Sequence, residues 1–139
     1  MKAFETSIMI DASAEKVWNI LTDASKYTEW DEGMISLDGT VAKGEKLTIK
    51  AKVSPDRAFT PTVTVFEPNR HMVWGSGMPL GLFKGERTFT LEPIGSNQTR
   101  FTMKEVFSGP MMALIGGTIP DMNPIFETFA KNLKARAEA

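Results

Sequence analysis

The sequence predicts an α+β fold, a curved antiparallel sheet wrapped around one C-terminal helix. Three observations carry this reading. A short apolar-alternating strand ending in Ile8 and Ile10 runs through Asp11-Ala12-Ser13 into a brief helical pattern (Val17, Trp18, Ile20, Leu21), then Tyr27 and Trp30. From there to about Phe107 the chain reads as strands separated by turn residues. It closes on one amphipathic stripe, Ile125, Phe126, Phe129, Ala130, Leu133 and Ala137. That order leaves a space between sheet and helix, and function is expected there.

The elements follow in order. Phe4 to Ile10 is the first strand, and Ser13 is placed to cap the first helix while Glu15 complements its dipole. Asp23 is expected to cap a second short helix holding Tyr27 and Trp30. Met34 to Leu37 precedes an Asp38-Gly39 turn. Lys46 to Val53 alternates, with Leu47, Ile49, Ala51 and Val53 on one side and Lys46, Thr48, Lys50 and Lys52 on the other. Phe59 to Glu67 is rich in Thr and Val, and Pro61 marks an edge or a bulge. Pro68-Asn69 turns the chain into His71 to Gly77. Phe83 to Glu92 and Gln98 to Phe107 form a hairpin across Gly95-Ser96-Asn97. In the tail, Gly109-Pro110 starts a helical turn reaching Leu114 and Ile115, interrupted by Gly116-Gly117 and Pro120. The last helix is expected from Pro124 to Ala139, roughly 24 Å long, with Lys131, Lys134 and Arg136 in its last turns.

Size and composition narrow the function classes. The 139 residues fit one domain, 1–139, and a chain this long buries roughly two-thirds of its unfolded surface. Cysteine is absent, which excludes disulfides, thiolate zinc sites and cysteine nucleophiles. Sixteen Lys and Arg against 17 Asp and Glu leave a net charge of −1 with no basic stripe, arguing against nucleic acid as a partner. Glu5 stands where a signal peptide would need an apolar core, and no run approaches the ~18 apolar residues of a membrane span. The expectation is a cytoplasmic protein without an integral membrane segment, monomer or homodimer. Nine Met and nine Phe suit either plain core packing or a pocket wall adaptable to a greasy guest.

Strand alternation sharpens the site. Phe83, Gly85, Arg87, Phe89 and Leu91 share one face, as do Phe101, Met103, Glu105 and Phe107. A hairpin turning near Gly95 sets Leu91 against Phe101, Phe89 against Met103, and Arg87 against Glu105. Slipping this register by one residue would send an apolar set to solvent. Arg87 and Glu105 would then be ions in an apolar wall, requiring pairing or water. Three roles suit them: a polar anchor for a ligand carboxylate, carbonyl or phenolate, with Glu105 orienting Arg87; a general base at Glu105; or a structural ion pair at the rim. The apolar wall would come from Leu47, Ile49, Val63 and Val65 on the early strands, Met72, Trp74, Phe89, Phe101 and Met103 on the later ones, and Phe126, Phe129 and Leu133 on the helix. Each alone reads more simply as plain core, and as a group they outline where a ligand would lie. Met78, Leu80, Leu82 and Phe83 sit in or beside a Gly/Pro loop suited to a lid, and Met111, Met112 and Met122 are placed to complete a mouth.

Other chemistry finds little support. His71, the single histidine, follows a turn and falls on the face opposite Met72 and Trp74. No Asp/Glu cluster has metal-ligand spacing, and there is neither a Gly-rich phosphate loop nor a GxSxG elbow. No metal or cofactor is expected, and no catalytic motif is recognisable.

Ile10-Asp11-Ala12-Ser13-Ala14-Glu15-Lys16-Val17-Trp18, with Tyr27 and Trp30, resembles the opening signature of the START-like (SRPBCC) superfamily. So do Glu67-Pro68-Asn69-Arg70 leading into Val73-Trp74, the hairpin end Glu105-Val106-Phe107-Ser108-Gly109, and the closing Phe129–Leu133–Lys134–Glu138 helix. Nearly the whole chain takes part, and the polyketide cyclase/dehydrase-like branch is the most similar. The resemblance implies a helix-grip fold, a seven-stranded antiparallel sheet gripping the last helix around an apolar cavity, with two short N-terminal helices. It implies a hydrophobic small-molecule ligand, such as a lipid or a polyketide-like compound, and transfers no universal catalytic residue. Three functions follow: binding or transport of such a ligand, a cyclase/dehydratase using Arg87 and Glu105, or a chaperone-interacting module.

Overall fold

The computed structural model describes residues 1–139. β1 (Lys2–Ile10) leads into α1 (Ala14–Thr22). Ser13 caps α1 as expected, its hydroxyl accepting from the Lys16 N–H at 3.2 Å. Asp23 makes no cap for the segment that follows. Its carboxylate instead accepts from the Ser25 hydroxyl at 2.6 Å, and a 3₁₀ turn (Ala24–Lys26) carries the chain into the one-turn α2 (Tyr27–Trp30). The rest comprises β2 (Met34–Asp38), β3 (Thr48–Ala51), β4 (Ala58–Phe59), β5 (Thr62–Glu67), β6 (His71–Gly77), β7 (Lys84–Pro93), β8 (Thr99–Ser108), the short α3 (Met112–Ile115) and α4 (Asn123–Glu138). No helix is long and apolar enough to cross a membrane.

The expected single seven-stranded sheet is corrected to eight strands in two sheets. Five strands form the main antiparallel sheet in the order β1-β8-β7-β6-β5, and three form a small sheet, β2-β3-β4. The division falls at Thr60-Pro61, within the segment expected to be one strand. Proline has no N–H to give a ladder, but the Pro61 carbonyl accepts from the Leu47 N–H at 2.8 Å. With one isolated bridge, Lys46 to Thr62, this joins the sheets.

The β7–β8 register is the expected one: Leu91 opposes Phe101, Phe89 opposes Met103, and Arg87 opposes Glu105. β5 departs from the simple alternation. Its pairing with β6 shifts between Val63 and Val65. This bulge turns Thr64 and Val65 together to the outer face and brings Phe66 inward, where its ring lies 5.2 Å from that of Trp18. Val65 therefore lies opposite Val73 on the outer surface, not on the inner wall.

α4 fills the concave side of the main sheet. Its buried stripe is Phe126, Phe129, Ala130, Leu133 and Ala137. Phe129 is the hub, with ring centroids 5.2 Å from Trp30, 6.0 Å from Phe89 and 6.1 Å from Phe101. Both ends of the helix are tied to β1. At its start the Glu5 N–H donates to the Asn123 side chain at 3.3 Å. At its end Lys134 donates to the Met9 carbonyl at 2.9 Å, and Glu138, ion-paired with Lys134, accepts from the Asp11 N–H at 2.8 Å. The hydrogen bonds it accepts from the Asp11 N–H and from Lys134 hold the exposed Glu138 carboxyl below its usual pKa.

Replacing Phe129 with Ala removes the ring that joins helix to sheet. The variant should lose about 3–5 kcal/mol of stability, read by urea denaturation. A loss below about 1 kcal/mol would show that Phe129 is not the keystone of the core.

Candidate functional site

The inner face of the main sheet can be followed row by row across the strands. Next to the Ile10–Thr99 pair at the β1–α1 junction, Ile8, Phe101 and Leu91 lie abreast, followed by Thr6, Met103, Phe89 and Met72. The next row is Phe4, Glu105, Arg87, Trp74 and Val63, and beyond it come Lys2, Phe107, Gly85 and Ser76. Along β7 and β8 the apolar run is therefore interrupted at one row, by one guanidinium and one carboxylate standing side by side.

The two ions are paired. Arg87 Nε donates to Glu105 Oε1 at 2.8 Å, with the side chains 26% and 12% exposed. The guanidinium carbon lies 5.1 Å from the centre of the Phe126 ring on α4, a cation–π contact from the helix side. Antiparallel pairing presses directly opposed side chains together, and this makes a contact of the two residues.

A third charge belongs to the same neighbourhood. Asp31, just past α2, is 7% exposed, and its Oδ1 accepts from the Gly33 N–H at 3.1 Å. Burial raises its carboxyl above the usual value, while the Gly33 hydrogen bond and the nearby Arg87 charge oppose the rise. Tyr27, fully buried beside it, donates its hydroxyl to the Leu21 carbonyl at 2.5 Å. Burial first, and the Asp31 charge second, drive its pKa well above the usual tyrosine value. It stays a neutral donor and is not a base. Asp31 was not singled out from the sequence. The available signal was Asp31-Glu32-Gly33, the Asp-x-Gly pattern in which a carboxylate caps the N–H two residues on.

The predicted wall residues divide by depth. Leu47, Val63, Met72, Trp74, Phe89, Phe101, Met103, Phe126, Phe129 and Leu133 belong to one buried core, none more than 8% exposed. Ile49 is half-buried against that core, and Val65 is on the outer surface. At the Arg87 end, by contrast, several apolar side chains are only partly covered. Phe107, Ile119 and Met122 pack on the core from its edge, and Phe83 stacks on Phe107 at 5.8 Å. Lys2 donates to the Ile119 carbonyl at 2.8 Å and fastens the tail across this end.

The two loops expected as lid and mouth are joined. The Met111 N–H donates to the Leu82 carbonyl at 2.9 Å. Gly109, at φ +108°, makes this approach possible, because a Cβ there would stand 2.7 Å from that same carbonyl oxygen. Leu80 is 97% exposed at φ +62°, so it stands out from the mouth and does not cover it. His71 lies apart, pairing with Glu67 at 3.3 Å across the β5–β6 hairpin. No three His, Asp or Glu side chains gather to hold a metal. Two open grooves, about 260 and 300 Å³, lie on the helical side of the molecule and share Trp30 and Arg136. None of the predicted wall residues lines either groove.

The family model described as polyketide cyclase/dehydrase and lipid transport matches residues 1–138. No curated protein matches the chain in sequence. Among solved structures, a START superfamily protein from Mycobacterium smegmatis is similar at 20% identity, with 98% of this chain and 97% of that one covered and a TM-score of 0.73. A Thermus thermophilus protein is 18% identical, with 98% and 97% covered and a TM-score of 0.73. Truncated norcoclaurine synthase from Thalictrum flavum is 14% identical, with 97% and 92% covered and a TM-score of 0.68. At these identities the likeness is one of fold.

The buried Asp31 has a pH signature of known sign. A carboxyl whose folded pKa is raised stabilises fully below its unfolded value, near pH 4, and loses that contribution as pH rises through the folded value. Asp31→Asn keeps the acceptor for Gly33 and removes the charge. The variant should melt above the wild type at pH 7, and the gap should close as pH falls toward about 4. A gap that is constant with pH, or that widens in acid, would contradict the assignment.

Proposed function

The chain belongs to the polyketide cyclase/dehydrase and lipid transport family, and from that premise we propose that it binds a small hydrophobic molecule, a lipid or a polyketide-like compound, between the main sheet and α4. The guest lies at the end where Arg87 and Glu105 interrupt the apolar rows, with its polar group on Arg87 and its apolar body against Phe107, Met122 and Ile119. The deeper aromatic residues around Phe129 form the floor of the site.

One observation carries this reading: an arginine on the inner face of the sheet, where apolar packing would be expected. Its Nε is held by Glu105 and its face by Phe126. Neither contact uses the two terminal nitrogens, and an arginine held this way is a positioned donor for a carbonyl or carboxylate. The incompletely buried apolar side chains at the same end provide a greasy lining for the remainder of the guest.

A second reading rests on Asp31. Two carboxyls, Glu105 and Asp31, lie within electrostatic reach of one guanidinium. Such a set can hold an enolate on Arg87 while a carboxyl moves a proton, the chemistry of a cyclase or dehydratase.

Purified protein should be screened by thermal shift against fatty acids, sterols, quinones and aromatic polyketides. A true ligand at a hundred times its Kd adds about 2.7 kcal/mol, and Arg87→Met should remove most of that shift. If no compound raises the melting temperature and native mass spectrometry finds no carried-over lipid, the binding function is wrong. If a ligand is consumed, and Asp31→Asn or Glu105→Gln stops turnover without abolishing binding, the enzymatic reading replaces it.

A further inference from the structure

The donors around Arg87 are unequally used, and the inequality specifies what the guest must bring. Trp74 stands directly opposite Arg87 across the β6–β7 ladder, on the same inner face. It is 4% exposed, with its ring 4.8 Å from Phe89 and 6.4 Å from Tyr27. Its indole N–H is buried and has no hydrogen-bond partner. An unpaired buried N–H is costly and uncommon in a native fold. No neighbour takes it: the Tyr27 hydroxyl donates to Leu21, and Glu105 Oε1 accepts from Arg87 Nε. Arg87 itself makes one hydrogen bond, through Nε, which leaves the fork of its terminal nitrogens to donate.

Resting on the binding reading above, we infer that the ligand presents a hydrogen-bond acceptor, the oxygen of a ketone or a carboxylate, which Arg87 and the Trp74 indole N–H hold together. Trp74 is then a specificity-determining residue and not only core. An indole has a donor and no acceptor, and a guanidinium has five donors and no acceptor. An amine head group would meet like charge at Arg87 and leave the indole unpaired. A wholly apolar guest would leave both unpaired. A ketone or carboxylate oxygen carries two lone pairs, enough for one hydrogen bond from each strand.

The test uses the full chain and a matched set of twelve-carbon probes: 2-dodecanone, dodecanoic acid, dodecylamine and 1-dodecene. Dissociation constants are measured by NMR titration for the wild type, Trp74→Phe and Arg87→Met. Trp74→Phe keeps an aromatic ring and removes the N–H, and its thermal melt reports whether the fold is intact. The ketone and the acid should bind the wild type about tenfold or more tighter than 1-dodecene, with the amine weakest. Trp74→Phe should weaken the ketone and the acid by about fivefold to a hundredfold, the range that one stranded buried donor corresponds to, and leave 1-dodecene unchanged. If all four probes bind wild type alike, or if Trp74→Phe weakens 1-dodecene as much as the ketone, the acceptor rule is overturned while hydrophobic binding stands. If no probe binds, both readings fall. Should Trp74→Phe not fold, Arg87→Met decides. Unchanged preference for ketone over alkene in that variant overturns the inference.

Discussion

The structure turns on one ion pair placed where an apolar contact would be expected. Arg87 and Glu105 oppose each other on neighbouring central strands of the main sheet and face α4. Removing either partner would leave the other as a charge in a mostly apolar row, at a cost of about 3–5 kcal/mol for a fully buried pair and less here, where both side chains keep some exposure. Replacing both by apolar residues would often be neutral or stabilising in such a place. Stability alone therefore does not account for the pair. Its geometry, a guanidinium fixed by a carboxylate on one edge and an aromatic ring on one face, is that of a donor held ready.

The pair also divides the interior. On one side, from Phe89 and Met103 toward Ile10 and Leu21, most side chains are closed off from solvent, and aromatic rings gather around Phe129, Trp30 edge-on and Tyr27, Phe89 and Phe101 tilted. On the other side the rows run out into partly covered residues, Phe107 and Met122, and into the glycine at position 85. α4 spans both regions, and the ties that fix it to β1, at Asn123, Lys134 and Glu138, lie at its two ends. The well-packed region makes the scaffold rigid, and the ion pair marks where that region stops. Small-molecule sites commonly combine these features, a mainly apolar lining with few and well-placed polar groups.

Much of this was legible in the residues. Period-two alternation placed Arg87 and Glu105 on one face and in register, because any slip would have exposed Phe89, Leu91 and Phe101. The apolar stripe from Phe126 to Ala137 identified the gripped helix, and Ser13 marked the start of α1. The failures have local causes. Phe59 to Glu67 reads as one strand, whereas Pro61 separates β4 from β5 and so one sheet from the other, its own carbonyl accepting from the Leu47 N–H. Val65 was placed inward by alternation, and the two-residue bulge at Thr64–Val65 reversed it and substituted Phe66. Asp31 was overlooked because nothing in its immediate sequence reveals burial. Its position depends on the packing of Tyr27 and Trp30 against α4, a tertiary fact. The unpaired indole of Trp74 was equally out of reach, because pattern shows which face a residue takes and not which of its atoms finds a partner.

The nine methionines allow the central claim to be tested at atomic resolution. With ¹³C-methyl-labelled methionine, intermolecular NOEs to bound 2-dodecanone report which end of the interior the guest occupies. The account predicts NOEs to Met122, at the Arg87 end, and none to Met72, packed in the core. NOEs confined to Met72, or no methionine NOE despite measurable binding, would place the guest elsewhere and contradict the account.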